Sequence, residues 1–116
     1  MKKKNILKES KDFNRIINNN RPIKYSDFII YIERTETNEY KFGFSVGKKI
    51  GNAVVRNKIR RQLKEIVSKK DYQNNFNCII IVGRGILKRN FQEMYENLHK
   101  IFQSLNIYKE DVNEKK

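Results

Sequence analysis

Gly47-Lys48-Lys49-Ile50-Gly51-Asn52-Ala53-Val54-Val55-Arg56-Asn57-Lys58-Ile59-Arg60-Arg61-Gln62-Leu63-Lys64-Glu65 reads as a tight turn feeding a helix. Asn52 is the expected N-cap, because its side-chain oxygen can accept a hydrogen bond from a free N–H of the first turn. From there Val55, Ile59, Leu63, Ile66 and Val67 recur at helical spacing and form one apolar stripe. Arg56, Arg60 and Lys64 make a second row at i, i+4 and i+8, with Asn57 and Arg61 in the row beside it. At about 100° per residue these five fall within a sector of roughly 140° flanking the stripe.

That arrangement is costly for a helix. Cations in the first turns oppose the positive end of the macrodipole, at about 0.3–1 kcal/mol each. Like charges four residues apart repel by a few tenths of a kcal/mol more. No acidic residue precedes Glu65 in the stretch, and three arginines appear in a chain whose usual cation is Lys. The planar guanidinium fork matches phosphate in a way that an ammonium does not. A solvated surface face is the plain reading of such a run. The clustering favours an anion-binding face, and RNA is the anion expected.

Outside this stretch, composition sets limits. In 116 residues there are 26 basic and 13 acidic side chains, for a formal charge of +13. One domain over residues 1–116 is expected, with a modest core. The charge points to nucleic acid or an anionic surface as partner. The single Cys78 excludes an internal disulfide and a cysteine-based zinc site, and its apolar surroundings make it a buried hydrophobe. His99 is the sole histidine, without a carboxylate, Ser or Cys partner suggested by spacing. Residues 1–4 are basic, but no apolar run follows as in a signal peptide. The longest apolar run, residues 78–82, is too short to span a bilayer, so a cytoplasmic location is expected.

Residues 1–8 read as a basic, extended N-terminus. Ser10 can cap a short helix carrying Phe13, Ile16 and Ile17 on one face, which the Asn18-Asn19-Asn20-Arg21-Pro22 run ends. Asn20 suits a left-handed cap there. An extra short strand is expected near Ile23. From Tyr25 the period is two: Phe28, Ile30 and Ile32 share one face, and Asp27, Ile29 and Tyr31 the other. After a polar turn at residues 33–39, a strand over residues 40–46 puts Tyr40, Phe42, Phe44 and Val46 on one face and Lys41, Gly43 and Ser45 on the other. These two strands are expected to pair as an antiparallel hairpin. Ile29 and Tyr31 are too apolar for a solvated face. They are either covered by the first helix or floor a shallow cleft beneath it.

Phe76–Val82 reads as a continuously apolar, central strand. Gly83-Arg84-Gly85 turns the chain and leaves Arg84 exposed. A last helix over residues 90–105 carries Phe91, Met94, Tyr95, Leu98, Ile101, Phe102 and Leu105 as a core stripe. Residues 107–116 are expected to fray. The pattern is α+β, helices packed on a mixed sheet.

Enzyme templates fail on this chain. It has no phosphate-binding glycine loop, no dinucleotide fingerprint, no Cys/His metal cluster and no spacing suggestive of a Ser/His/Asp set. No catalytic and no metal-ligating residue is assigned. What remains is a basic helix, a basic N-terminus, and aromatic rings such as Phe13 and Tyr31 available for stacking. That combination suits RNA with single-stranded character.

On residues 44–65 the chain resembles the protein subunit of bacterial ribonuclease P. The block is similar to that family's "vSKKvGNAVxRNrxKRxxRE" pattern, whose Arg-Asn core is known as the RNR motif. Leu7 and Asp12-Phe13 match the family's opening, residues 27–31 its first long strand, and residues 78–82 its "DyvviaR" strand. The resemblance implies an αβββαβα sandwich with a mixed central sheet and a left-handed βαβ crossover through the basic helix, against the usual hand. It further implies similarity to the second domain of ribosomal protein S5.

By the same resemblance the partners are the ribonuclease P catalytic RNA and precursor tRNA, whose 5′ leader the holoenzyme removes. No membrane and no protein partner is required. Mg²⁺ is the cofactor of the holoenzyme, held mainly by the RNA, which carries the active centre. Lys48, Lys49, Asn52, Arg56, Asn57, Lys58, Arg60, Arg61 and Lys64 would face the catalytic RNA. Phe13, Ile17, Tyr31 and Ser45 would line the leader cleft between first helix and sheet. The chain departs from the family pattern at Gly47 (usually Ser), Lys64 (often Arg), Ile17 (often aromatic) and Asn20 (often Gly). Two other classes compete: a structural, ribosomal-type RNA-binding protein of the same fold with no role in cleavage, and a basic protein on anionic membranes. No helix here is both strongly apolar and tryptophan-bearing, which counts against the last.

Overall fold

The structure, a computed structural model, describes residues 1–110. Its elements are α1 (Ser10–Asn19), β1 (Ile23–Tyr25), β2 (Phe28–Arg34), β3 (Tyr40–Ser45), α2 (Ala53–Val67), β4 (Phe76–Val82) and α3 (Phe91–Leu105). Short 3-10 turns lie at Lys3–Asn5, Lys48–Ile50 and Arg84–Lys88. The order is αβββαβα around one mixed sheet. No helix among the described residues is long and apolar enough to cross a membrane.

The strands lie in the order β1-β2-β4-β3. The short strand near Ile23 exists and forms the hairpin, Tyr25 opposite Phe28, through a tight turn in which Ser26 is left-handed at φ 54°. The expected hairpin between β2 and β3 does not form. Instead β4 lies between them, antiparallel to β2 and parallel to β3. The physical reason is burial. Phe76, Cys78, Ile79 and Ile80 are fully buried, so β4 must be covered on both faces and paired on both edges. β3, α2 and β4 therefore make a βαβ unit.

Alternation then sorts the two faces. On one, Phe28 and Ile30 of β2, Phe42 of β3 and Phe76, Cys78, Ile80 and Val82 of β4 pack against α2 and α3. Phe42 is at the centre, with ring centroids 4.9 Å from Tyr72, 5.6 Å from Phe76 and 5.6 Å from Phe102. Burial at about 1.5–3 kcal/mol per large apolar side chain makes this cluster the main source of stability. On the opposite face α1 covers a thinner cluster built on Leu7, Ile16 and Ile79.

Both ends of the described region are better fixed than composition suggests. After the Lys3–Asn5 turn, Ile6 bridges in parallel to Phe42, the Leu7 N–H donates to the Phe42 carbonyl at 2.8 Å, and Asn5 Nδ2 donates to the Tyr40 carbonyl at 2.7 Å. The exposed edge of β3 is thereby covered, as an unpaired edge requires. At the other end Ile107 is fully buried and Tyr108 bridges Tyr72. The Gln73 and Lys109 N–H groups donate to the Ile107 and Asp71 carbonyls, both at 2.9 Å. Residues 107–109 are therefore held and not frayed. The rest of the expected tail, residues 111–116, lies outside the described residues.

Local caps differ in detail from expectation. Glu9, not Ser10, occupies the N-cap of α1 and makes no side-chain cap bond. Asn20 is extended, φ −134°, and closes the helix by donating from Nδ2 to the Ile16 carbonyl at 2.8 Å. The left-handed asparagine cap is at Asn106, after α3, where φ is 56°. His99 is buried: Nε2 donates to the Ile66 carbonyl at 2.8 Å, and Nδ1 lies 2.6 Å from the Tyr108 hydroxyl. It ties α3 to α2 and to the final segment, and burial holds its pKa below the ordinary value, so it is neutral. Burial likewise pushes the Cys78 thiol far up, leaving it an inert hydrophobe.

Candidate nucleic-acid interface

Asn52 is the cap of α2: its side chain accepts the Val55 N–H at 3.0 Å. Ile59, Leu63, Ile66 and Val67 are buried and Val55 half-buried, so the apolar stripe seats the helix on the sheet. That seating forces the adjoining sector outward. Asn57 and Arg61 are exposed, and Arg56, Arg60 and Lys64 are half-buried along its margin. Lys58 is exposed too, but helical geometry puts it about 60° beyond Arg61, off the sector that holds the other five. Lys48 and Lys49 are exposed on the turn just before the helix.

The acids are elsewhere. Every salt bridge among the described residues uses Lys11, Arg15, Lys41, Lys69 or Arg89 as the cation. Lys48, Lys49, Arg56, Lys58, Arg60, Arg61 and Lys64 have no acidic partner among the described residues. Nor does the first turn of α2 hold an acid. Arg60 is nonetheless fixed: Nη1 donates to Asn57 Oδ1 at 3.0 Å and Nη2 to the Val46 carbonyl at 3.4 Å. A guanidinium held by neutral acceptors keeps its full charge and loses less side-chain freedom when an anion arrives. The Arg56 Nε is buried without a hydrogen-bond partner among the described residues, a cost of about 1–3 kcal/mol that a bound acceptor would offset.

The second surface is on the other face of the sheet, under α1. Phe13, Ile17, Tyr31 and Ile81 are half-buried around Leu7, Ile16 and Ile79. The Phe13 ring lies directly on Gly43, where an added Cβ would sit 2.6 Å from it. Gly43 is thus the residue that lets an aromatic ring approach the strand. Arg15 fastens α1 over this face, donating from Nε and Nη2 to both oxygens of Glu33 at 3.0 and 3.1 Å, and from Nη1 to Asp12 at 2.7 Å. The Glu33 carboxyl, bonded by Arg15 and then by Asn77, is held below its ordinary pKa. Ser45 is half-buried opposite Ile81 in register, two residues beyond Gly43 on the same face.

The structure therefore brings Phe13, Ile17 and Tyr31 together, with Ser45 at the strand end. Gly43, Ile81 and the Arg15–Glu33 clasp were not read from sequence; the parity of Ile81 with Ile79 was the available signal. The two surfaces meet at the end of β3. Ser45 faces the α1 side, and the carbonyl of the next residue, Val46, holds Arg60. A separate concavity of about 780 Å³, lined by Lys2, Lys4, Asn5, Glu39, Tyr40 and Asp71 among others, touches neither set. Among the described residues no three His, Cys, Asp or Glu side chains gather as a metal site.

Comparison with known proteins supplies the context. The family model described as Ribonuclease P matches residues 1–106. The ribonuclease P protein component of Mycoplasma mycoides is 37% identical over 113 residues, covering 90% of this chain and 99% of that protein. That of Streptococcus gordonii is 32% identical over 113 residues, covering 97% and 95%. The structure of the Staphylococcus aureus RNase P protein superposes with a TM-score of 0.80 at 26% identity, covering 90% of this chain and 98% of that one. The Thermotoga maritima RNase P protein shares the fold, with a TM-score of 0.74 at 21% identity over 82% and 92%. With its basic α2 face and its half-open α1 face, the chain belongs to the ribonuclease P protein family.

Proposed function

We propose that this chain is the protein component of the ribonuclease P ribonucleoprotein, acting in the removal of 5′ leaders from precursor tRNA. The observation that carries the reading is the row of cations on α2 that have no acidic partner among the described residues, seated by a buried apolar flank. Arg56, Asn57, Arg60, Arg61 and Lys64, with Lys48, Lys49 and Asn52 before them, bind the catalytic RNA. Lys58 adds charge from the side of the helix. RNA phosphates supply the negative charge that the N-terminal half of α2 lacks.

The leader of precursor tRNA lies on the α1 face. Phe13 and Tyr31 present rings on which bases stack, Ile17 adds van der Waals contact, and Ser45 offers a hydroxyl. The active centre and the Mg²⁺ ions belong to the RNA subunit. The chain's own residues position RNA, screen its charge and hold the leader, and they transfer no proton. Its place of action is the cytoplasm.

The test is reconstitution. Added to a cognate catalytic RNA at low Mg²⁺, the purified chain raises precursor-tRNA cleavage; no increase overturns the reading. Salt-dependent RNA binding without that increase would favour a structural RNA-binding protein instead. In Arg60→Ala/Arg61→Ala the log–log salt dependence of RNA-subunit binding flattens by about 0.7–0.9 per lost phosphate contact.

A further inference from the structure

On the half-open face of the sheet, residues in register on β2, β4 and β3 form three rows. Ile29, Ile81 and Ser45 make the first, next to the Val46 carbonyl that holds Arg60 of α2. Tyr31, Ile79 and Gly43 make the middle row, where the Phe13 ring lies on Gly43. Glu33, Asn77 and Lys41 make the third. The first two rows are mostly apolar, and the third is polar on all three strands. Asn77 is half-buried at its centre, about 6–7 Å along β4 from Ile79.

The Asn77 amide has one orientation. Arg15 keeps Glu33 ionised, and an ionised carboxylate only accepts hydrogen bonds. Asn77 Nδ2 therefore faces it, donating to Oε1 at 2.8 Å. Arg15 Nη2 and Nε donate to Oε1 and Oε2 at 3.1 and 3.0 Å, which stops the carboxylate from turning. Asn77 Oδ1 is left on the other side of the amide. It has no hydrogen-bond partner among the described residues, and it reaches solvent. The charges beside it are negative on balance. Asp12 and Glu33 share the guanidinium of Arg15, and Lys41 is paired with Glu39 at 3.6 Å. Two carboxylates on one cation repel phosphate and favour a hydrogen-bond donor on a base edge.

We propose that Asn77 reads one base of the leader, accepting at Oδ1 from an exocyclic amino group, and that Glu33 and Arg15 are positioning residues that fix this acceptor. The favoured bases are adenine and cytosine, whose edges lead with an amino group at N6 or N4. Uracil and guanine lead with a carbonyl at O4 or O6. This rests on the reading of the α1 face as the leader site. The third row is at the end of that face away from Arg60. The base it meets is therefore farther from the cleavage point than the base on Phe13 and Tyr31.

The test uses the reconstituted holoenzyme and precursor tRNAs that differ in one leader base at a time, at each leader position in turn, and reads kcat/KM. With the parent chain, one position should favour adenine and cytosine over uracil and guanine by about 2- to 12-fold, the range of one net hydrogen bond. That position should be farther from the cleavage site than the one most sensitive to Phe13→Ala. Asn77→Ser should abolish the preference by removing the acceptor, and Glu33→Gln by freeing the amide to turn. Both should leave preferences at the other positions as in the parent. Absence of such a position, or a preference that survives Asn77→Ser, overturns the inference. Loss of preference at every position in Glu33→Gln, together with a large fall in urea stability, makes Glu33 merely structural and overturns its positioning role. Phe13→Ala separates this idea from the one beneath it. If that variant lowers precursor-to-mature discrimination and no Asn77-dependent preference is found, only the assignment to Asn77 fails; if it changes nothing either, the α1-face reading fails too.

Discussion

Phe42 and Gly43 are neighbours on β3 and point to opposite faces of the sheet. Phe42 enters the sealed face, where α2 and α3 enclose an aromatic cluster. Gly43 underlies the Phe13 ring on the other face, where a single ten-residue helix leaves Phe13, Ile17, Tyr31 and Ile81 half-open. One face supplies stability and the other leaves apolar and aromatic surface available. A small domain with a charge of +13 must concentrate its core on one side if the other is to receive a ligand.

The largest expected effect tests the sealed face. Phe42→Ala should lower the unfolding free energy by about 3–5 kcal/mol in urea titration. That is a large share of the total for a domain of this size, about 5–15 kcal/mol. A loss as large in Phe13→Ala would break the contrast between the faces. Next, Gly43→Ala should cost about 1–3 kcal/mol, because the new methyl must displace the Phe13 ring. It should also reduce discrimination of precursor from mature tRNA while leaving RNA-subunit affinity intact. Unchanged discrimination would mean that the position of Phe13 does not matter for the leader.

The smallest effect separates the faces by pH. His99, on the sealed side, has its pKa lowered by burial. Its contribution is therefore complete above the ordinary value of 6.5 and is lost as pH falls from there toward the folded-state value. Glu33, on the open side, is lowered by the Arg15 hydrogen bonds, so its contribution persists to the ordinary value of 4.5 and is lost below it. Unfolding midpoints followed from pH 8 to 3 should decline in these two windows. His99→Gln should remove the first, and Glu33→Gln the second. The Glu33 step should be under about 1 kcal/mol, since the Arg15 side chain is 44% exposed and its pairing is screened by solvent. A single merged transition would show that the faces do not respond separately.

Elements with strong local signals were legible in the sequence. Asn52 as cap, the α2 stripe from Val55 to Val67, the central character of β4 and the core stripe of α3 each follow from a repeat inside one segment. Strand partners were harder, because alternation in β2 and β3 says which face a residue takes and not which strand lies beside it. The clue was in β4 itself. A strand apolar on both faces needs a neighbour on each edge, and the available long strands were β2 and β3. On the candidate interface, the α2 cations were visible as a row, but the row of Glu33, Asn77 and Lys41 was not. It arises from the pairing of β4 with β2 and β3, contacts between segments far apart in sequence. Gly43 is legible only once α1 is known to cross above it.

The position of β4 also bears on how the protein is made. The strand between β2 and β3 is the last of the sheet to be synthesised, roughly 40 residues after the end of β3. At about 5–20 residues per second, the earlier strands wait roughly 2–8 s for the partner that joins them. Until then only the β1–β2 hairpin can form, and a two-stranded hairpin alone is marginal in water. The basic segment of α2 emerges within that interval, with its apolar stripe still uncovered. The sheet is thus assembled from the outside in, and its folding rate is governed by closure of the long loops that bracket β4.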